Sequence, residues 1–221
     1  MEYEVGDYSD EVFKRIPYAV DVFQWVRDNP MPDAVVEQLR VVFIKHRVYD
    51  HFGLSIIHRH YDLEPGERVV ELENVATPWR VPDADKMSIF GGHIVPKNWA
   101  YLDGLLHPFE FQYRPEATNP HPEVPCLTTA FVAELHHVLA LHDLLGVYGL
   151  ALLPENAQDE TAPGRLEFTA GRANITIPFP DKLKDKTLQS TMYLFPCIDP
   201  LLEPSYKGPR MRHCWTCVGC A

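Results

Sequence analysis

Residues 54–75 read LSIIHRHYDLEPGERVVELENV, and this stretch decides the predicted fold. Residues 54–63 have the two-residue alternation of a β-strand, in which every second side chain faces the same side. The sequence EPGE at 64–67 has the composition of a turn, and residues 68–75 resume the strand pattern. The segment therefore predicts a β-hairpin at the centre of the chain.

Helical patterns lie on both sides of this segment. Residues 19–27 have apolar side chains at helical spacing and are followed by the breaker Asn29-Pro30. A second helix is predicted to open after Pro32-Asp33, and a third helix at about 128–145. Further strands are predicted at 88–95, 109–114, 165–169 and 174–178.

These elements predict the α+β class, with an antiparallel β-rich core that is either a hairpin-built sheet or barrel-like. N-terminal helices and one central helix are expected to pack on it. We expect a single domain over 1–221, with a helical part (1–50), a β-rich body (51–200) and a cysteine-rich tail (205–221). The chain has no glycine-rich phosphate-binding motif, so no nucleotide cofactor is expected.

Charge and hydropathy restrict the partners. The formal charge is −11, from 20 Lys and Arg against 31 Asp and Glu, which disfavours nucleic acid and anionic membranes. The longest apolar stretch, residues 138–153, is too short and too polar to span a bilayer. The first residues lack the pattern of a secretory signal, and the five cysteines are an odd number. We therefore expect a cytoplasmic protein whose partner is a small molecule.

The motif His58-Arg59-His60 predicts a metal site. Residues two apart on a strand project from the same face, so both imidazoles can bind one ion, with zinc or iron as the expected divalent metal. A third ligand must come from elsewhere: Glu67 or Glu71 on the return strand, His93, or the pair Glu134 and His137. The alternative is that both histidines are half-buried, hydrogen-bonded strand residues.

The C-terminal tail holds a second cluster of potential ligands. His213, Cys214, Cys217 and Cys220 lie within eight residues, close to several basic side chains. Thiolates and imidazole bind zinc or Cu(I), and neighbouring positive charge lowers thiol pKa values. The tail therefore predicts a second metal site or a redox site, with unrelated cysteines as the alternative.

Several short motifs resemble an uncharacterised family of filamentous-fungal proteins. They are FGL at 52–54 leading into the two histidines, GHIVP at 92–96, GRAN at 171–174, STM at 190–192 and the terminal HC at 213–214. The resemblance implies no activity and adds no catalytic residue.

Three functional hypotheses follow, and the one ranked last is a thiol-based enzyme that uses Cys214 or Cys217 with His213. The first is a small metal-binding protein, with a metal-dependent enzyme acting on a small molecule as its catalytic form. The second is a non-enzymatic binding or regulatory protein whose C-terminal tail senses thiol oxidation or metal. The sequence alone leaves open whether the protein is an enzyme.

Overall fold

The computed structural model describes residues 5–80, 92–115, 127–154, 164–179, 188–195 and 216–218. Over these residues the helices are α1 (Asp10–Arg15), α2 (Ala19–Asp28), α3 (Asp33–Lys45) and α4 (Thr129–Leu141). The strands are β1 (Phe52–Ile56), β2 (Glu67–Leu72), β3 (Val75–Arg80), β4 (Gly92–Leu102), β5 (Leu105–Pro115), β6 (Tyr148–Leu152), β7 (Arg165–Ala170), β8 (Ala173–Pro178), β9 (Gln189–Ser190), β10 (Met192–Tyr193) and β11 (Thr216–Val218).

The three predicted helices are confirmed as α2, α3 and α4. The side chain of Thr128 caps α4 by accepting a hydrogen bond from the Phe131 amide. This helix ends at Leu141, before the predicted position 145, because Asp143 has a left-handed φ of 55°. Sequence analysis missed α1, which has only six residues and is too short to show a helical period.

The described strands form one sheet in the order β10-β1-β6-β4-β5-β2-β3-β8-β7-β11-β9. The sheet is mostly antiparallel, with parallel pairs at β2–β5 and β11–β7, and it curls into a half-barrel. The α+β class with a β-rich, barrel-like core is therefore confirmed. The predicted hairpin around residues 170–173 is also confirmed, as β7 and β8.

The predicted pairing of residues 54–63 with 68–75 is wrong. Strand β1 pairs with β6 and β10, whereas β2 pairs with β3 and β5. The chain leaves the sheet after Ile56 because Arg59 binds the connection between α1 and α2. Its amide donates to the Pro17 carbonyl at 2.9 Å, and its carbonyl accepts from the Ala19 amide at 2.9 Å.

The helices α2, α3 and α4 pack on one face of the sheet, against β1, β4 and β6. Ser55, which lies between the buried Leu54 and Ile56, faces the opposite side and lines a polar cavity there. The sheet thus separates an apolar core from a polar cavity. Large side chains that are fully buried in the core include Leu39, Phe43, Phe52, Phe131, Leu135, Tyr148 and Phe195.

Gly149 permits a close approach between strands beside this cavity. A Cβ atom at this position would lie 2.1 Å from the Trp99 carbonyl oxygen and 2.6 Å from a methyl group of Ile57. Only glycine therefore fits where β6 meets β4. No helix among the described residues has the length and apolar character needed to cross a membrane.

Candidate metal centre

Three potential metal ligands meet at the polar cavity: His58, His60 and Glu167. Each offers one ligand atom, and these atoms all lie within 4.8 Å of one another. The two histidines follow the end of β1, and the glutamate lies on β7, more than a hundred residues further along the chain. Two imidazoles and one carboxylate are a common set for zinc and for non-haem iron(II).

The two imidazole rings lie close to each other, as the His-x-His spacing predicts. Their centroids are 4.9 Å apart and the planes are nearly perpendicular, at 87°. The His60 side chain is only 1% exposed, and its Nε2 lies 3.1 Å from Oε1 of Glu167. Two ligand atoms that each lie about 2.0–2.1 Å from one tetrahedral zinc are about 3.3 Å from each other. The Nε2 atom of His60 and the Oε1 atom of Glu167 already have nearly this spacing.

His58 is held in one tautomer by the backbone. Its Nδ1 lies 2.9 Å from the carbonyl oxygen of Ile56. Because a carbonyl can only accept, Nδ1 carries the proton, and Nε2 keeps the lone pair that a metal would use. Metal-binding histidines commonly donate their second ring nitrogen to such a carbonyl. The ring of Phe23, 4.9 Å away, packs against the same imidazole from α2.

A β-bulge brings two further side chains to the cavity. Consecutive residues on a strand normally face opposite sides, yet Lys97 and Asn98 both line the cavity. The pairing of β4 with β5 shifts register on both sides of Asn98, and such a bulge redirects side chains. The Lys97 ammonium contacts the carboxylate of Glu71, and the Asn98 amide donates to that of Glu110.

The cavity is small and polar. The volume open to the centres of water molecules is about 40 Å³. One ordered water needs about 10–15 Å³ by this measure, so the cavity holds roughly three waters. The lining residues are Ser55, His58, Glu71, Ala76, Lys97, Asn98, Glu110, Glu167, Asn174, Thr176, Thr191 and Met192.

The two carboxyl groups nearest the imidazoles have pKa values that are shifted in opposite directions. Burial, assisted by the negative charge of Glu167, raises the pKa of Glu110 to about 7. Burial also acts to raise the pKa of Glu167. The hydrogen bond from His60 and the positive charges of the histidines and Lys97 outweigh it, so that pKa lies below its ordinary value. Glu110 therefore holds a proton near neutral pH while Glu167 stays ionised.

The pKa of Lys97 supports the same charge distribution. Burial acts to lower this pKa, but the charge and hydrogen bond of Glu71 and the charges of Glu110 and Glu167 raise it above its ordinary value. The ammonium therefore stays charged. A charged amine is not a nucleophile, so Lys97 is unsuited to forming a covalent adduct with a carbonyl.

Replacing Glu110 with glutamine is expected to remove part of the pH dependence of stability. The folded carboxyl keeps its proton up to about pH 7, whereas the unfolded one loses it near pH 4.5. Wild-type stability therefore falls as pH rises through this window, by up to about 3 kcal/mol. In urea unfolding from pH 5 to 8, Glu110→Gln is expected to gain stability relative to wild type as pH increases.

Glu134→Gln is the control, because its pH dependence lies below this window. The hydrogen bonds from Lys45 and His46 lower the pKa of Glu134 from its ordinary value of 4.5, so its contribution is lost only as pH falls below that value. Its stability difference from the wild type is therefore expected to stay constant from pH 5 to 8. A stability difference between Glu110→Gln and wild type that stays constant from pH 5 to 8 would contradict the assignment.

Within the described chain, the other predicted ligands belong to no group of three potential ligands. Glu71 lines the same cavity, but its carboxylate contacts Lys97, and the others lie elsewhere. The Glu67 carboxylate pairs with Arg172 and accepts from the Glu64 amide. Glu134 contacts Lys45 and His46, at 2.7 and 2.8 Å. The remaining two are exposed: His93 at the start of β4 and His137 on α4.

The C-terminal cluster is described only in part. Cys217 belongs to β11, where its Cα is the parallel register partner of Glu167 in β7. His213, Cys214 and Cys220 lie outside the described residues. The second metal or redox site in the tail therefore stays a prediction.

Sequence analysis missed Glu167, although it predicted the strand that carries this residue. The signal is its place in RLEFTA (165–170), where a carboxylate alternates with the buried Leu166 and the partly buried Phe168. An acidic residue in such a strand faces the side opposite to the apolar residues. Nothing local in the sequence shows that this side meets the two histidines.

Comparisons of the chain with protein-family models, with curated proteins and with solved structures gave no match. The resemblance to a filamentous-fungal family stays a prediction. Because fold alone does not specify function, the activity has to be inferred from the chemistry of the site.

Proposed function

We propose that the protein binds one divalent metal ion through His58, His60 and Glu167 and uses it to act on a small molecule. The grouping of three potential ligand atoms within 4.8 Å carries this proposal. The fixed tautomer of His58 and the 3.1 Å contact between His60 and Glu167 support it. Three protein ligands leave coordination positions open, which is typical of a catalytic metal site.

Zinc and iron(II) are the metals that suit this ligand set. Imidazole nitrogens favour them over magnesium and calcium, which prefer sites made entirely of oxygen atoms. When bound, such an ion polarises a carbonyl group or lowers the pKa of a water molecule. His58 and Glu167 both line the cavity, so the open positions would face it. Glu110, which holds a proton near neutral pH, is placed to exchange it with a ligand there.

Metal analysis of the purified chain tests the proposal. After loading with zinc, or with iron(II) in the absence of oxygen, we expect one ion per chain. His58→Ala and His60→Ala are each expected to lower the affinity by about 100-fold or more, measured by competition with a chelator. His137→Ala is the matched control, because this histidine is exposed on α4 and distant in sequence. Equal metal content in all four proteins would contradict the proposal.

The buried contact between His60 and Glu167 also supports a second candidate function, acid–base catalysis without a metal. A histidine whose ring nitrogen lies 3.1 Å from a carboxylate is a common general base. Activity that survives complete removal of metal by a chelator would favour this candidate. The regulatory hypothesis for the cysteine tail stays a prediction and is tested separately, by thiol titration of Cys217→Ser.

A further inference from the structure

The charges that line the cavity restrict what can enter it beside a metal. Among the described residues, its charged lining consists of Glu71, Glu110 and Glu167 against the single ammonium of Lys97. When all three carboxylates are ionised, which for Glu110 requires a pH above about 7, and the imidazoles are neutral, the set carries two net negative charges. A divalent ion at the histidines then neutralises it. Above that pH the metal-loaded cavity therefore has no excess positive charge for an anionic ligand.

Polar and charged side chains also predominate in the lining. Among its described residues, Ala76 and Met192 alone have apolar side chains. The carboxylates of Glu71 and Glu110 add hydrogen-bond acceptors, so a ligand that donates hydrogen bonds is favoured. An anion would also place its charge against these two carboxylates, at a cost that is large inside a protein.

The volume of the cavity also limits the size of the ligand. A space for roughly three waters accepts only about three to five non-hydrogen atoms once an ion is bound. The cavity is partly open to solvent, so the rest of a larger molecule can extend outside. The inner end of the ligand must therefore be short and polar.

From charge, hydrogen-bonding capacity and size together, we propose that the cavity receives the hydroxyl-bearing end of a neutral molecule, such as a vicinal diol or polyol. One hydroxyl oxygen binds the ion, and its neighbour donates to the carboxylate of Glu110 or Glu71. This inference rests on the proposed metal centre. It assigns Glu71 and Glu110 a role in selecting neutral over anionic ligands.

The test uses the full chain loaded with cobalt(II), whose visible spectrum responds to a change of ligand. At pH 8, where Glu110 is ionised, glycerol is expected to change the spectrum in a saturable manner. Acetate, an anion that is small enough for the cavity, is expected to bind at least about tenfold more weakly. Tighter binding of acetate than of glycerol, or no response to glycerol, overturns the inference.

Two variants reveal whether the carboxylates set this preference. Glu71→Gln removes one negative charge without removing a proposed metal ligand, and acetate is expected to bind about tenfold more tightly to it. Glu110→Gln is expected to act in the same direction. Glu67→Gln, whose carboxylate pairs with Arg172, is the control and should keep the wild-type preference. An unchanged preference in both cavity variants counts against the inference.

The cobalt content separates the two proposals. If the chain does not bind cobalt, the proposed metal centre fails, and this inference fails with it. If one cobalt binds per chain and His58→Ala removes it, but acetate binds better than glycerol, the ligand class alone is wrong.

Discussion

Replacing Lys97 with methionine is expected to lower the free energy of unfolding by about 3–5 kcal/mol at pH 8. The Lys97 and Glu71 side chains are only 13% and 16% exposed, so water compensates poorly for the lost ammonium. Glu71, Glu110 and Glu167 would then share the cavity with no lysine or arginine among its described lining residues. Methionine keeps most of the volume of the lysine side chain, so the loss of stability is due to the missing charge and not to a cavity.

The pH dependence of this loss identifies its cause. Without the ammonium, the carboxyl groups hold protons in the folded state to a higher pH than in the unfolded chain, so the destabilisation grows as pH rises. We expect the effect of Lys97→Met to be smaller at pH 5 than at pH 8 in urea unfolding.

Lys14→Met is the matched control for this prediction. Lys14 pairs with Glu11 on the surface, where the two side chains are 58% and 79% exposed. Exposed pairs contribute about 0–1 kcal/mol, so this variant should be nearly neutral at both pH values. If both lysine variants lost a similar free energy of unfolding, the charge of Lys97 would not stabilise the buried carboxylates.

Local sequence patterns predicted most of the secondary structure but not how the strands pair. Helices α2, α3 and α4 and the β7–β8 hairpin follow from side-chain periodicity, caps and turn residues, which act over a few positions. The pairing of β1 with β6 joins residues almost a hundred positions apart. The helices α2, α3 and α4 pack against β1 and β6, and these contacts between distant residues are encoded by no local pattern.

The candidate site was likewise predictable only where it depends on residues that are close together in the sequence. The spacing of His58 and His60 predicted that their rings lie close together, and they do, although both residues follow the end of β1 and are not part of the strand on which the prediction was based. Glu167 comes from a strand that is distant in the sequence, and the bulge that turns Lys97 toward the cavity depends on the register between β4 and β5. Glu67 was the closer carboxylate in sequence, but its charge is paired with Arg172.

Glu167→Gln is expected to lower the affinity for zinc by about 100-fold or more, because an amide is a far weaker ligand than a carboxylate. Glu67→Gln provides a matched control with the same chemical change, and it should bind zinc as the wild type does. Competition with a chelator measures both affinities. For the wild type, affinity is expected to increase with pH, because each histidine must be unprotonated at the nitrogen that binds the ion.

A measurement on the metal-free protein distinguishes the loss of a ligand from the loss of the fold. Glu167→Gln weakens the contact with His60, but it also removes the negative charge that helps to raise the pKa of Glu110. Because these effects oppose each other, the free energy of unfolding at pH 8 is expected to change by less than about 1 kcal/mol. A stably folded Glu167→Gln variant that binds zinc as tightly as the wild type would show that the carboxylate is not a ligand. The two histidines would then form a site without it.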